Sequence, residues 1–305
     1  MRDPGLPSLD QLRVFIAVID HGGFAHAARA LHRTQSVISY TIANLEEQLN
    51  IALLDRSKRK VTLTEAGKAL LADARAVSAK VDGMRARAKA LGSGLEAQVC
   101  LVVDVMFPMC HLAKLLESFQ REYPTVALRL HTEALGGVAQ MVLDGRCQLG
   151  ISGMPVHLPD NIERHLAGHV TMMPVCAPSH ALAKIDGVVP TTALREHLQL
   201  VLTDRSPLTS GQDFGVMGLR DWRLADLHSK HALLRWGLGW GSMPEPMIAE
   251  DLANGRLVRL RLQDGDELQY PLFAIHRTDG QLGPAGRWLK EQILTLDYTG
   301  PHWPY

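Results

Sequence analysis

Long hydrophobic runs and a secretion signal are both missing from this sequence of 305 residues. Its most apolar stretch, VCLVVDVMFPMC, contains Asp104 and falls short of the roughly 18 residues that indicate a membrane-spanning helix. The first residues, MRDPGLPSLDQLRVF, lead into an amphipathic helix with no small-residue cleavage site after it, so we expect no secretory signal. We therefore expect a globular protein of the cytoplasm that has no membrane partner.

Cysteine is scarce as well. The four cysteines lie far apart in the sequence and form no CxxC pair. This spacing predicts reduced, mostly buried thiols. The residues concerned are Cys100, Cys110, Cys147 and Cys176.

A net charge of zero gives no sign of a nucleic-acid partner, but the charges are unevenly placed. Residues 1–94 carry 14 Lys and Arg against 9 Asp and Glu, whereas the rest of the chain carries 18 against 23. A basic first part is typical of a chain whose first part binds a polyanion. The chain is also too long for one ordinary core, so two or three compact units are expected.

The first 50 residues predict three helices, and the third is a candidate recognition helix. In HRTQSVISYTIANLEEQL, apolar residues recur at steps of four and three, and this stripe consists of Ile38, Ile42, Leu45 and Leu49. The opposite side is small, polar and uncharged in its first half, and helices in the major groove commonly contact bases through their first residues. An ordinary solvated face is the alternative. The candidate DNA contacts are Thr34, Gln35, Ser36, Ser39, Tyr40 and Asn44.

A short basic hairpin follows this helix in LLDRSKRKVTLT. A run of charge usually indicates solvent exposure, but a basic hairpin beside a recognition helix is placed to hold phosphates. Its candidate contacts are Arg56, Lys58 and Arg59. Tyr40 is expected to lie against a thymine methyl group or to hydrogen-bond a phosphate or a base.

Residues 64–92 predict one long helix with Thr64 as its N-cap and glycines at its end. Its apolar residues alternate at spacings of four and three and form a heptad seam. The members of this seam are Leu70, Ala74, Val77, Val81, Met84, Ala88 and Leu91. Packing on the helix's own domain is the alternative, but so narrow a stripe favours a dimer.

After the glycines, strand-like and helix-like segments alternate, which predicts parallel sheets covered by helices. The stretch VCLVVDV is a predicted buried strand, and HLAKLLESFQREY is a predicted helix. In open sheets of this kind, ligands bind beyond the carboxyl ends of the strands. We expect a ligand site at those ends, which lie at 104–107, 133–137, 152–154 and 203–206.

The sequence resembles the LysR-type transcriptional regulators. The resemblance is nearly continuous over LDQLRVFIAVIDHGGFAHAARALHRTQSVISYTIANLEEQLNIALLDRSKRKVTLTEAG and extends to SFQREYP, LDGRCQLGISG and GLGWGSMP. Three positions depart from the family pattern. Tyr40 stands where many members carry arginine, Leu54 replaces a frequent phenylalanine, and Gln148 replaces a frequent aspartate.

This resemblance implies an α/β multidomain protein. Its parts are an N-terminal winged helix-turn-helix DNA-binding domain over 1–63, a linker and dimerisation helix over 64–92, and a C-terminal effector-binding domain over 95–305. The last part is expected to be a periplasmic-binding-protein-like (type 2) α/β fold. Its subdomain I covers about 95–163 and 269–305, and its subdomain II covers about 164–268.

The resemblance also implies a small effector in the cleft between the two subdomains. Position in the family pattern or at a strand end selects nine effector contacts. They are Asp104, Val105, Met106, Phe107, Ser152, Thr203, Arg205, Trp240 and Met243. Asp104 could equally cap a helix or pair with an arginine. The apolar members suggest an apolar or aromatic effector, while Thr203 and Arg205 could hold a carboxylate or a phenolic oxygen.

The predicted function is a DNA-binding regulator whose operator binding responds to an effector, with double-stranded DNA as its partner. We expect a homodimer or homotetramer, and RNA polymerase is a further candidate partner. A redox regulator that acts through oxidation of Cys110 is the alternative. We expect no catalytic residue, no cofactor and no metal, because no nucleophile with a base is present and because His165 and His169 lack accompanying ligands despite their i, i+4 spacing.

Overall fold

The computed structural model describes residues 6–55, 61–92, 94–153, 158–263 and 268–296. The chain divides into two compact units, Met1–Ala90 and Leu91–Tyr305. Among the described residues, no helix is both long and apolar enough to cross a membrane.

The first unit is three short helices followed by a hairpin and a long helix. These elements are α1 (Leu9–Asp20), α2 (Phe24–Ala30), α3 (Gln35–Leu49), β1 (Leu54–Asp55), β2 (Thr62–Leu63) and α4 (Glu65–Gly92). A capping box starts α1, because Ser8 Oγ accepts from the Gln11 backbone N–H and the Gln11 side chain accepts from the Ser8 N–H. The Thr64 hydroxyl likewise accepts from Gly67 N–H at 2.9 Å at the start of α4, as predicted.

The core of the first unit forms where α1, α2 and α3 meet. Ile38, Ile42 and Leu45 of α3 are fully buried, so the predicted stripe is confirmed. They pack with Val14 and Phe15 of α1. This packing fixes which side of α3 points outward.

The long helix α4 changes its surroundings along its length. Near its start, Ala74 is buried in the core of the first unit. Further along, three seam residues lose this cover, since Val77, Met84 and Leu91 are 47%, 58% and 53% exposed. The later part of the predicted seam is therefore an apolar stripe that the described chain does not cover.

The second unit alternates strands and helices. Its first elements are β3 (Gln98–Asp104), α5 (Met109–Glu122), β4 (Ala127–Glu133), α6 (Gly136–Leu143), β5 (Leu149–Ser152), β6 (Ile162–Cys176), β7 (Val188–Val189), α7 (Thr191–Glu196) and β8 (Gln199–Leu202). They are followed by β9 (Asp221–Leu224), α8 (Leu227–Arg235), β10 (Trp240–Pro244), α9 (Glu245–Ala253), β11 (Val258–Arg259), β12 (Arg261–Leu262), β13 (Leu268–Arg277) and α10 (Pro284–Leu294). The expected α/β alternation is confirmed.

One mixed sheet carries the second unit, in the order β4-β3-β5-β13-β6-β10-β8-β9, with β11 also paired to β6. It contains two parallel groups, β4-β3-β5 and β10-β8-β9. The strands β13 and β6 join the two groups and pair antiparallel with each other and with their outer neighbours. The prediction of parallel sheets is therefore right for each group and wrong for the two connecting strands, which run the other way.

The predicted buried strand is β3, whose two faces both lie in cores. Val99, Leu101 and Val103 pack on one face, and Cys100 and Val102 pack on the other. Burial on both faces is typical of a central parallel strand. It places the end of β3, and Asp104 with it, inside the unit.

Candidate DNA-recognition surface and effector cleft

The outward side of α3 is exposed and uncharged in its first half. Thr34, Gln35 and Ser36 are exposed, Tyr40 is 69% exposed, and Ser39 and Asn44 are partly buried. The helix begins at an N-cap, because Thr34 Oγ1 accepts from Val37 N–H at 3.4 Å. The six predicted contacts of this helix therefore lie on or beside one accessible side.

Two anchors hold α3 in place. Just before it, Arg33 donates two hydrogen bonds of 2.8 Å to Asp10 of α1, and these bonds lower the pKa of Asp10. Near its end, Glu46 Oε1 accepts from the backbone N–H groups of Leu53 and Leu54 at 2.8 and 3.0 Å. Glu46 thus ties the hairpin to the helix, a role that the sequence pattern had not indicated.

The hairpin itself is confirmed as an antiparallel pair, with Leu54 opposite Leu63 and Asp55 opposite Thr62. The predicted phosphate contacts Arg56, Lys58 and Arg59 lie outside the described residues.

Asp104 closes β3 and is almost completely buried, with 1% exposure. Its Oδ1 accepts from the Met106 backbone N–H at 2.8 Å, its Oδ2 accepts from the Tyr270 hydroxyl at 3.1 Å, and the Gly153 N–H also donates to it. Burial raises the pKa of Asp104 to about 6, and the nearby charge of Asp204 adds to the rise. Among the described residues, Asp104 therefore neither caps a helix nor pairs with an arginine.

The ends of three strands converge around this carboxylate. The approach at Gly153 is so close that an added Cβ would lie 1.9 Å from the Tyr270 hydroxyl oxygen, so only glycine fits there. Ser152, the last residue of β5, is buried beside this contact. Met106, Phe107 and Met243 belong to one buried apolar cluster that also contains Tyr270, and Val105 packs against it.

A cavity of about 540 Å³ opens beyond the end of β8. Two predicted contacts, Thr203 and Arg205, line it, and Leu135 joins from the other parallel group. Its remaining lining is mostly polar and consists of Val201, Leu202, Asp204, Ser206, Pro207, Thr209, Ser210, Gly211, Gln212, Asp213, Phe214 and Arg223. The volume falls in the range of small-molecule sites.

The loop after β8 lies directly against the start of α6. An added Cβ at Gly136 would come within 2.8 Å of Thr209, 3.0 Å of Ser206 Oγ and 3.1 Å of Asp204 Oδ2. The preceding Leu135 has φ +47° and ψ −120°, a left-handed conformation that costs free energy in any residue with a side chain. Strain of this kind is concentrated at ligand sites, and Leu135 lines the cavity.

Asp204 has two unequal oxygens. Its Oδ1 accepts from the Thr209 hydroxyl at 2.5 Å. Its Oδ2 is buried and has no hydrogen-bond partner among the described residues. The sequence placed Asp204 at a strand end, but only the structure reveals its unpaired acceptor.

Trp240 lies apart from the cavity. Its indole is 1% exposed and donates to the Leu194 carbonyl oxygen at 3.1 Å, and its ring packs with Cys176, Leu182 and Val189. Trp240 is the first residue of β10, whereas the cavity lies beyond the last residue of the parallel neighbour β8. The structure therefore places Trp240 in a hydrophobic core.

The cysteines and the two histidines His165 and His169 are arranged differently from what the sequence predicted. The structure pairs Cys100 with Cys147 as a disulfide, with their Cα atoms 4.7 Å apart, so the prediction of four reduced thiols was wrong for these two. Cys147 lies just before β5, the neighbour of β3, and this adjacency is invisible in a sequence separation of 47 residues. Cys110 and Cys176 are free.

His165 and His169 lie on the strand β6, where an i, i+4 spacing separates residues by about 13 Å. They therefore do not converge as they would on a helix. His165 instead contacts Glu163 at 2.5 Å, and together with His276 these side chains form a group that could hold a metal ion, which the sequence pattern had not indicated. In that group the Lys290 ammonium lies 3.0 Å from His276 Nε2.

Comparison with known proteins gives matches along most of the chain. The family model "Bacterial regulatory helix-turn-helix protein, lysR family" matches residues 9–68, and the model "LysR substrate binding domain" matches residues 92–296. The chain is 30% identical over 253 residues to the HTH-type transcriptional activator AllS of Klebsiella pneumoniae, which covers 82% of this chain and 93% of AllS. A substrate-binding match favours a small-molecule effector over the redox alternative.

Solved structures show the same fold. A mutant of Corynebacterium glutamicum OxyR aligns with a TM-score of 0.52 at 19% identity, over 95% of this chain and 91% of that one. Full-length BenM aligns with a TM-score of 0.50 at 22% identity, over 94% of this chain and 95% of that one. The expected combination of an N-terminal helix-turn-helix with a C-terminal α/β ligand domain is confirmed.

Proposed function

Because the chain belongs to the LysR family of transcriptional regulators, we propose that α3 recognises the operator and that the cavity beyond β8 receives the effector. The chain is a DNA-binding regulator with an effector-binding domain. Its operator contacts and its effector contacts are our assignment.

The assignment of the DNA contacts rests on the exposed side of α3. Ser36 and Tyr40 are accessible, while Arg33 and Glu46 hold the helix from both ends. Recognition requires that outward side chains keep a fixed register against the bases, and these anchors supply it. The hairpin residues Arg56, Lys58 and Arg59 are proposed to hold phosphates.

We propose the division of the chain that the sequence predicts. We propose a DNA-binding domain over 1–63, a linker helix over 64–92 and an effector-binding domain over 95–305, which acts in the cytoplasm. Within the last part, subdomain I spans about 95–163 and 269–305, and subdomain II spans about 164–268. Each would contribute one parallel strand group.

We propose that the effector contacts the polar lining around Thr203, Asp204 and Arg205. Met106, Phe107 and Met243 belong to the buried apolar cluster that also contains Leu135 and Leu202 of the lining, and this cluster would shape the cleft. Effector binding would alter the contact between the loop after β8 and the start of α6, because that contact joins the two strand groups. The two DNA-binding domains of a dimer would respond to this change.

Substitution of Tyr40 by alanine tests the recognition surface. A good base contact contributes roughly 1–3 kcal/mol of discrimination, so we expect Tyr40→Ala to lower the preference for operator over unrelated DNA by about tenfold. The preference is measured by fluorescence anisotropy on both DNA duplexes at one salt concentration. Trp236→Ala is the matched control, since Trp236 is also an exposed aromatic residue but lies in the second unit.

The assignment also predicts that Ser36→Arg changes operator preference, because it places a charge on the same side of α3. Operator binding that is unchanged in both Tyr40→Ala and Ser36→Arg would show that another surface recognises the DNA.

A further inference from the structure

The cleft of the second unit holds two carboxylates that come from different strand groups. Asp104 ends β3, and Asp204 follows β8. Their charges interact, since Asp204 disfavours the ionised form of Asp104. The two carboxylates are therefore near enough for the charge of one to act on the other.

The described residues offer these carboxylates only uncharged partners. Asp104 accepts from two backbone N–H groups and from Tyr270, and Asp204 Oδ1 accepts from Thr209. No ion pair joins either carboxylate to a lysine, arginine or histidine in the described part of the chain. In the described part of the chain, no ion pair therefore neutralises either carboxylate.

The oxygen Asp204 Oδ2 is the acceptor that lacks a donor among the described residues. It is buried, has no hydrogen-bond donor in the described chain and lies near the start of α6. The partial positive charge at a helix start is favourable to a carboxylate but does not replace a hydrogen bond. A buried acceptor without a donor is costly, and a ligand that donates to it removes that cost.

The surroundings of Asp204 can hold a small organic cation. The cavity that Asp204 lines has further oxygen acceptors at Thr203 and Ser206, and Phe214 and Leu135 offer apolar contact. Arg223 is held by Asp213 at 2.7 Å and by Asp221 at 3.0 Å, so its charge is already compensated.

Arg205 is the competing observation, because a free guanidinium would favour an anion. Its side chain is exposed, however, and exposed charges interact weakly with their partners. The buried, unpaired acceptor of Asp204 lies where water cannot screen it. Because this acceptor is buried, we favour a ligand that donates hydrogen bonds over an anionic ligand.

We propose that the effector presents a cationic nitrogen group, such as an amidinium, guanidinium or ammonium, whose N–H groups reach Asp204 Oδ2 when effector binding shifts the loop after β8 from the start of α6, within the negative potential of Asp104. Asp204 is the contact residue, and Asp104 acts through its charge. This inference rests on the proposed role of the cavity as the effector site. It replaces the expectation of a carboxylate or phenolic effector that Thr203 and Arg205 had suggested.

Benzamidine and benzoate provide a direct test, because they share shape and size but carry opposite charges. We expect benzamidine at millimolar concentration to raise the Tm of the full-length protein by a few degrees, while benzoate leaves it unchanged. Asp204→Asn should abolish the benzamidine shift, and Asp104→Asn should weaken it. Asp279→Asn is the matched control, since Asp279 pairs with Arg277 at 2.6 Å and does not line the cavity.

A larger shift with benzoate, equal shifts with both probes, or no shift with either would overturn the proposal. So would a benzamidine shift that persists in Asp204→Asn. The comparison of the two probes needs only the unmodified protein, so it does not depend on how a variant folds. Failure of the DNA assignment would be seen separately, as operator binding that is indifferent to Tyr40 whatever ligand is present.

Discussion

At the scale of single residues, Asp104 shows how burial sets chemistry. Its carboxylate would ionise near pH 3.8 in water, but burial raises its pKa to about 6. Below that pH the folded protein holds a proton that the unfolded chain has already released. Between these two values the folded state therefore binds more protons than the unfolded state, and stability falls as pH rises.

This linkage predicts a pH-dependent effect of Asp104→Asn. The wild type should lose up to about 3 kcal/mol of unfolding free energy, relative to the variant, between pH 4 and pH 7.5. Urea unfolding of both proteins at several pH values measures the difference in their unfolding free energies. A hydrogen bond that the variant loses lowers its stability equally at every pH, so it does not affect how this difference changes with pH. A difference that stays constant across this range would contradict the assigned environment of Asp104.

Individual residues also show which parts of the candidate site could be predicted from the sequence. The place of Thr203 and Arg205 on the cavity was predictable, because both follow a parallel strand and ligands bind beyond such strand ends. Trp240 was misplaced because it was selected on its position in the sequence alone, whereas it begins its strand and so lies away from the ligand edge. The unpaired oxygen of Asp204 depends on packing between distant segments, which no local pattern encodes.

At the scale of elements, helices were more predictable than strand pairing. The period of α3 fixed both its buried stripe and its outward side, since neighbours on a helix are neighbours in sequence. The antiparallel pairing of β6 with β13 joins segments about 100 residues apart. For the same reason the contact between Cys100 and Cys147 and the strand geometry of His165 and His169 escaped the sequence analysis.

The uncovered stripe of α4 predicts that this helix pairs with a second copy of the chain. We expect Val77→Glu combined with Met84→Glu to lower dimer affinity by at least a hundredfold, because both charges would be buried in the seam. Sedimentation equilibrium measures the affinity. Ala72→Glu combined with Ala79→Glu is the matched control, since both alanines are exposed, lie off the seam and together gain the same charge.

A double variant that stays as dimeric as the control would show that α4 does not form the dimer contact. In that case a surface other than a second α4 would have to pack on the apolar stripe. A tetramer in the wild type that becomes a dimer in the variant would also contradict the assignment, because a second interface would then hold the dimer.

At the scale of the whole molecule, charge is divided between the two parts of the chain. Residues 1–94 carry five more basic than acidic side chains, and the rest carries five more acidic than basic ones. The basic part supplies general attraction to DNA, while α3 supplies preference among sequences. A dimer would present two such helices to a site with approximate two-fold symmetry.

The central claim is that this chain recognises specific DNA sequences, and genomic footprinting tests it most directly. Purified protein is bound to sheared DNA from its own source at two salt concentrations, and the protected regions are sequenced. The account predicts discrete sites with approximate two-fold symmetry that survive the higher salt, because base contacts outlast weakened phosphate contacts. Diffuse binding that disappears at the higher salt would contradict it, since only the basic charge of the first part would then be acting.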